Sequence, residues 1–403
     1  MSKRILFLTP QLPYPLHQGT TLRNFGLISG LAERGHEISL LSFREAEQPR
    51  LEETPLPKIC MNAQTIPAPE WSRNRRLRAL LTGKADMARR RWSDEFRDTL
   101  RTLLDKSTFD VVHIEGIEMA PYLDILRQRL PNAVIIYDAH NAEYALQNRI
   151  AEQDWQIPRR WPMAAYSTVQ TRRLTRLETY TCRHVDHIIA VSDTDAGLLG
   201  NLDHHTPITV IPNAIFAESY NPDDWAEALI KRPSMIFTGK MDFRPNVDAA
   251  MWFAEEILPK ITREIPDAHF TIVGQKPHTR LGALRDRSDV TLTGYVDDIR
   301  PYLKAADVYI APLRMGSGTR FKLLEAMAMG RPVVSTRIGA EGLDVQNGDQ
   351  MLLADSPEEF AAAVISLLRD EDRRVALGSR GRDLVRSGYD WHAIIPSVEA
   401  IYS

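Results

Sequence analysis

The stretch 308-VYIAPLRMGSGTRFKLLEAMAMGRPVVST-336 decides how the rest of the chain is read. Two short apolar runs, 308–313 and 332–336, enclose a turn containing Gly316 and Gly318 and then an apolar helical segment. Neither run alternates between apolar and polar positions. That is how strands buried on both faces look, so the stretch predicts a strand–helix–strand unit of a parallel sheet covered by helices. One residue interrupts the pattern: Glu325 stands among Leu323, Leu324, Ala326, Met327 and Ala328, where a core-facing helix carries apolar side chains.

The same alternation runs through the chain. Before position 212 the apolar runs are RILFLT (4–9), ISLLSF (38–43), VVHIE (111–115), VIIYDA (134–139), HIIAVS (187–192) and ITVIP (208–212). After a segment rich in Pro, Asn and Asp, the series restarts with MIFTG (235–239), HFTIVG (269–274), VTLTG (290–294), VYIAPL, PVVST and MLLA (351–354). A chain of 403 residues exceeds what one core usually supports. The expected architecture is therefore α/β, with two Rossmann-like, doubly wound parallel-sheet domains facing across a cleft: 1–211, a linker at 212–232, and 233–389. The amphipathic end, 390–403, is expected to pack back on the first domain.

Composition removes several functional classes. A net charge of -3 gives no global attraction to nucleic acid or anionic lipid. Only Cys60 and Cys182 are present, far apart, so neither a disulfide framework nor a structural zinc site is indicated, and a reducing cytosol fits. The apolar run after the basic start MSKR ends at Pro10, too short for a signal peptide, and reads as a first strand. No apolar stretch reaches the length of a membrane span. The one local asymmetry is 71–92, WSRNRRLRALLTGKADMARRRW, whose eight Lys/Arg and one acid carry +7 and leave the remainder at -10. Interleaved with leucines and bounded by Trp71 and Trp92, it reads either as a basic amphipathic element for an anionic membrane surface or as a solvated basic face.

The candidate chemistry lies where strands end. Gly316 and Gly318 sit at a strand-to-helix turn, where backbone N–H groups can meet an anion, and Ser317 and Thr319 belong to the same turn. Arg320 and Lys322 lie in the first helical turn, unfavourably placed for the helix dipole unless an anion joins them. Glu325 could accept hydrogen bonds from vicinal hydroxyls of a ribose, as acidic residues do in dinucleotide folds. GSGTRF is not a dinucleotide fingerprint, because Phe321 occupies the third glycine position and the turn follows the fourth strand of its half. Lys240 and Arg244 follow the first strand of the second half, and Gly19 opens a helix after the first strand of the first half. His113, Glu115, Asp138, His140, Asn141 and Glu143 end two strands. Among them His140 is the candidate proton acceptor, since imidazole titrates near neutrality. Asp193-Thr-Asp195 imitates a metal-binding DxD, yet Ser192 three residues before an acid at a helix start is better explained as a cap.

Together these motifs resemble glycosyltransferase family 4, the retaining GT-B enzymes, over nearly the whole chain and most closely from 235 to 340. GSGTRFKLLEAMAMGRPVVST looks like that family's donor-site signature, which implies that Glu325 binds the ribose of a nucleotide-sugar. By the same resemblance FTGK implies Lys240 at the donor diphosphate, TGYVDDIRPYLKAADVYIAP implies the segment from Gly294 through Tyr295 to Val296 beside the base, and Gly19 belongs to a glycine loop under the diphosphate. Two departures stand out. The family's E-x7-E pattern wants an acid where Ser317 stands, and its usual lysine after the first strand is replaced near Asn246, leaving Arg244, Arg320 or Lys322 to supply the charge. The resemblance implies transfer of a hexose from a GDP- or UDP-hexose to a hydroxyl of a saccharide or lipid-linked acceptor, on domain closure, with no metal and no cofactor. His140 and Glu115 are then the catalytic candidates, and His113, Asn141 and Glu143 the acceptor contacts. The LEAMA form is similar to bacterial enzymes of exopolysaccharide synthesis, which implies work in the cytoplasm at the inner face of the membrane, with 71–92 as a membrane contact. A nucleotide-sugar 2-epimerase and a non-catalytic nucleotide-sugar-binding scaffold are the competing readings.

Overall fold

The structure is a computed structural model and describes residues 2–16, 18–70, 83–315 and 320–402. It divides into two units, Met1–Asn213 with Ile395–Ser403, and Ala214–Ile394. Among the described residues, the first unit holds a seven-stranded sheet of β1 (Arg4–Thr9), β2 (Glu37–Arg44), β3 (Asn62–Pro67), β4 (Val111–Glu115), β5 (Val134–Ala139), β6 (His187–Ala190) and β7 (Ile208–Val210). Their order is β3-β2-β1-β4-β5-β6-β7, and every pairing is parallel. The order reverses between β1 and β4, the switch point at whose strand ends such sheets bind ligands. Register sets Glu115 directly beside Asp138 there.

The strands are continuous and apolar because helices cover both faces; Ile5, Leu6, Phe7 and Leu8 of β1 are all fully buried. β3 has no counterpart among the expected strands. Its sequence NAQTIP is half-polar and only partly buried, and Pro67 closes it, as befits an edge strand. The chain's end returns to this unit. Glu399, closing the helix Trp391–Glu399, accepts from Arg34 Nε at 2.7 Å and lies 2.9 Å from His36 Nε2, and Tyr402 is buried.

In the second unit β8 (Ser234–Thr238), β9 (His269–Val273), β10 (Val290–Leu292), β11 (Val308–Ala311), β12 (Val333–Ser335) and β13 (Leu352–Leu353) take the order β10-β9-β8-β11-β12-β13, again all parallel. Here the reversal falls between β8 and β11. The stretch 308–336 holds β11, the helix Phe321–Ala328 and β12. Residues 214–232, expected as a linker, are a packed part of this unit: Ala217 is buried, and Tyr220 and Trp225 lie against the core formed by Leu323, Leu324 and Met327. Their Pro, Asn and Asp content reflects the two short 3-10 turns Ala217–Tyr220 and Pro222–Asp224.

Candidate functional site

In the second unit the site grows from the end of β8. Thr238 is followed by Gly239 at φ +150, a conformation that favours glycine, and a β-carbon there would lie 2.7 Å from Asn246 Nδ2 and 2.8 Å from Lys322 Nζ. The bare backbone lets the Lys322 ammonium settle against the strand end. Its Nζ donates to the Thr238 carbonyl and to Asn246 Oδ1, both at 2.8 Å, and lies 4.4 Å from the centre of the Phe237 ring. Burial pushes this ammonium down to about 7, with the Arg320 charge adding to the effect and Glu325 opposing it. A cation held so far below its ordinary value gains a great deal from a neighbouring anion.

One turn along the same helix, Glu325 Oε1 accepts from the Tyr220 hydroxyl at 2.9 Å. Burial pushes the Glu325 carboxyl up, while the Tyr220 hydrogen bond and Lys322 pull it down. Tyr220 comes from the segment read as a linker, and nothing in its local sequence marks it. Arg300, which pairs with Asp298 through several N–H groups, stacks 3.8 Å over the Trp225 ring and donates to the Ser219 carbonyl, fixing the 3-10 turn that presents Tyr220. Asn246, found where a family lysine was expected, serves as the tether of Lys322, its amide also donating to the Lys240 carbonyl at 2.9 Å.

The other expected donor contacts fall at the same strand ends. Lys240 is exposed directly after β8 and Gly239, and Arg244 is exposed as the first residue of the helix Arg244–Trp252. Arg320 precedes the helix that carries Lys322, its guanidinium pushed down by burial. After β10, Gly294 takes φ +72, Tyr295 is 68% exposed, and Val296 packs against the same core as Tyr220 and Trp225. Gly316, Ser317, Gly318 and Thr319 lie outside the described residues.

In the first unit the ends of β4 and β5 build a second group. His140 Nε2 lies 3.1 Å from Glu115 Oε2, and His113 Nδ1 lies 3.4 Å from Glu115 Oε1. Burial pushes the Glu115 carboxyl up, but its two imidazole partners outweigh that and hold it well below the usual carboxylate range. His140 is drawn the other way: burial lowers it, yet Glu115 and Asp138 hold it above its ordinary value. The imidazole is 15% exposed and the carboxylate not at all, so a ligand can meet the His140 ring but reaches Glu115 only through it.

His113 corrects the expectation that it meets an acceptor. It is fully buried, stacked 4.5 Å over Phe7, with Nε2 2.9 Å from the Tyr402 hydroxyl. It shares the face of Glu115 but stands two residues deeper in β4, where Phe7 and Tyr402 cover it. Asn141 and Glu143 are partly exposed; Asn141 Nδ2 donates to Glu143 Oε1 at 3.2 Å, and burial pushes the Glu143 carboxyl up to about 7. Behind them Glu178, unremarked in the sequence, accepts from the backbone N–H of Glu143 and Tyr144. Gly19 is exposed at the first position of the helix Gly19–Glu33, the first helix after β1.

Glu115, Asp138 and His140 bring potential metal-ligating atoms within 4.8 Å of one another. Each is engaged within the protein. Asp138 takes Arg23 Nε on both oxygens at 3.0 Å, and Arg23 also donates to the Ile211 and Pro212 carbonyls, so a cation at this place would have to displace a buried guanidinium. Asp195 is engaged too: its backbone N–H donates to Ser192 Oγ at 3.1 Å, and Oδ1 accepts from the Ala142 N–H, which is the cap read from the sequence.

Residues 19–218 match the model of Glycosyltransferase Family 4, and residues 232–370 that of Glycosyl transferases group 1. The chain is 27% identical over 405 residues to a phosphatidyl-myo-inositol mannosyltransferase of Propionibacterium freudenreichii subsp. shermanii, covering 97% of this chain and 93% of that protein. It is 30% identical over 208 residues to a GDP-mannose-dependent alpha-(1-6)-phosphatidylinositol monomannoside mannosyltransferase of Mycobacterium tuberculosis, covering 46% of this chain and 52% of the other. Its fold is similar to that of a sucrose-phosphate synthase from Thermosynechococcus elongatus, with a TM-score of 0.69 at 17% identity over 99% and 98% of the two chains.

Proposed function

The chain belongs to glycosyltransferase family 4 and is a glycosyltransferase of GT-B fold, and from that premise we propose that it transfers a hexose from a GDP- or UDP-hexose to a hydroxyl of a lipid-linked saccharide or glycolipid. The relatives' names support mannose as the sugar and a phosphatidylinositol-type glycolipid as the acceptor. The names of these relatives lend nothing to the epimerase reading. Exopolysaccharide intermediates form the second acceptor class.

The observation that carries this reading is the ammonium of Lys322 held below its ordinary range at a bare glycine strand end, one helical turn from the Tyr220–Glu325 pair. A diphosphate beside Lys322 restores its full charge, and Lys240, Arg244 and Arg320 add to the anion's field. Glu325 takes the ribose hydroxyls, Tyr295 and Val296 flank the base, and Gly19 offers a helix N-terminus to the phosphates. In the reaction the bond from sugar C1 to the diphosphate oxygen breaks and a bond from C1 to the acceptor oxygen forms, with retention. The acceptor proton passes to His140 or to the leaving phosphate. The developing charge on the diphosphate is met by ammonium, guanidinium and backbone N–H groups, so the reaction proceeds without a metal. Asn141 and Glu143 bind the acceptor, whose lipid sets the place of work at the cytoplasmic face of a membrane. Among the described residues no helix is long and apolar enough to cross it.

The test is incubation of the chain with radiolabelled GDP-mannose, or UDP-glucose, and a bacterial lipid extract. Label moving to the lipid phase with release of nucleoside diphosphate, lost in Glu325→Ala, is the expected result. Nucleotide binding with no transfer to any extract would contradict it.

A further inference from the structure

Helices Glu143–Trp155 and Trp161–His184 of the first unit lie along one another as a hairpin joined by 156–160. The hairpin buries Ala151, Ala164, Ser167 and Leu174. A helix pair facing only water should turn polar residues outward. This one instead exposes Ile150, Trp155, Ile157, Trp161, Met163 and Val169, with Trp161 at 53% and Met163 at 56%. These side chains gather around the tip. Trp161 Nε1 donates to the Trp155 carbonyl at 3.2 Å, and Trp155 Nε1 donates to Thr168 Oγ1 at 3.1 Å, so the indole N–H groups are satisfied within the hairpin while much of each ring stays exposed.

The charge around this apolar tip is mainly positive. Between 149 and 176 stand six arginines and two acids, and one of the acids, Asp154, is taken by Arg160 at 3.1 Å. The described end of the basic segment runs alongside: the Asp86 N–H donates to Gln170 Oε1 at 3.0 Å, and Arg173 donates to the Lys84 carbonyl at 3.3 Å, which sets Lys84 and Asp86 against the same helix. A protein partner would need only the apolar patch. The cationic border, together with tryptophans at the apolar–polar boundary, matches the interface of an anionic bilayer.

We propose that the hairpin tip, 150–169, docks on an anionic lipid surface, with Trp155, Ile157, Trp161 and Met163 entering the headgroup layer and the arginines meeting lipid phosphates. This contact needs neither donor nor acceptor, so it stands or falls apart from the transferase reading. The test is sedimentation of the full chain with vesicles of phosphatidylcholine alone and of phosphatidylcholine with about one third phosphatidylglycerol. The expected result is binding to the anionic vesicles only, tryptophan emission quenched by brominated acyl chains, and most of that quenching lost in Trp155→Phe/Trp161→Phe while binding persists. Ile157→Ser/Met163→Ser, which touches no hydrogen bond of the hairpin, should weaken binding by about tenfold or more and leave the thermal shift with nucleotide unchanged. Equal binding by wild type and Ile157→Ser/Met163→Ser overturns the proposal, as does absence of binding to either vesicle. A dimer in light scattering that Ile157→Ser/Met163→Ser dissociates, with vesicle binding unchanged, would assign the tip to a second copy of the chain and equally overturn it.

Discussion

The donor affinity of this protein should fall as pH rises through neutrality, and Lys322 should be the reason. In the free protein burial holds its ammonium down to about 7. A donor diphosphate favours the charged form, so the bound protein keeps the proton to higher pH. The binding-competent fraction is then about one half at pH 7 and about one eleventh at pH 8, which weakens donor affinity about fivefold over that unit and about tenfold over the next. The sign follows from proton linkage: binding takes up a proton above pH 7, approaching about one per donor at pH 8. The assay is isothermal titration with a sugar nucleotide, whose phosphates do not titrate in this range, in two buffers of different ionisation enthalpy. Lys322→Met should abolish the pH dependence along with most of the affinity. An affinity that stays flat from about pH 6.5 to 8.5, or a slope that survives in Lys322→Met, would refute the reasoning.

Three further outcomes follow from particular contacts. His140→Ala should lower kcat by at least about 100-fold with little change in donor KM; near-normal turnover by a folded protein would remove His140 from the chemistry. Gly239→Ala forces a β-carbon at φ +150 to within 2.8 Å of Lys322 Nζ, and calorimetry should show at least about tenfold weaker donor binding with circular dichroism unchanged. Tyr402→Phe strips His113 Nε2 of its buried partner and should cost about 1–3 kcal/mol in denaturant unfolding; a change within error would mean that the chain's end does not hold His113.

The sheets were legible because strands buried on both faces write themselves as unbroken apolar runs, and β1, β4, β5 and β9 fall where RILFLT, VVHIE, VIIYDA and HFTIVG stand. β3 was not legible, because an edge strand with polar side chains carries no such run. Of the site, Glu325 was visible as a carboxylate out of pattern in its helix. Its partner was not: Tyr220 sits 105 positions away in a stretch whose turn-forming residues imitate a linker. Arg23, 115 positions from Asp138, and Asn246, 76 from Lys322, were hidden for the same reason, since side-chain pairs made by folding leave no local spacing to read. His113 shows the converse: a residue of suitable chemistry two positions short of a strand end is covered by the core, where Phe7 and Tyr402 hold it.

The measurement that bears most directly on the central claim is a thermal-shift screen of the wild type and Glu325→Ala against UDP, GDP, ADP and dTDP with several of their sugars. Ligand bound to the native state stabilises it by an amount that grows with the logarithm of one plus the ratio of ligand concentration to Kd, and so raises its melting temperature. The expected outcome is a shift with a guanine or uracil nucleotide that Glu325→Ala loses. A well-folded wild type that no nucleotide stabilises, or a shift that Glu325→Ala keeps in full, would contradict it.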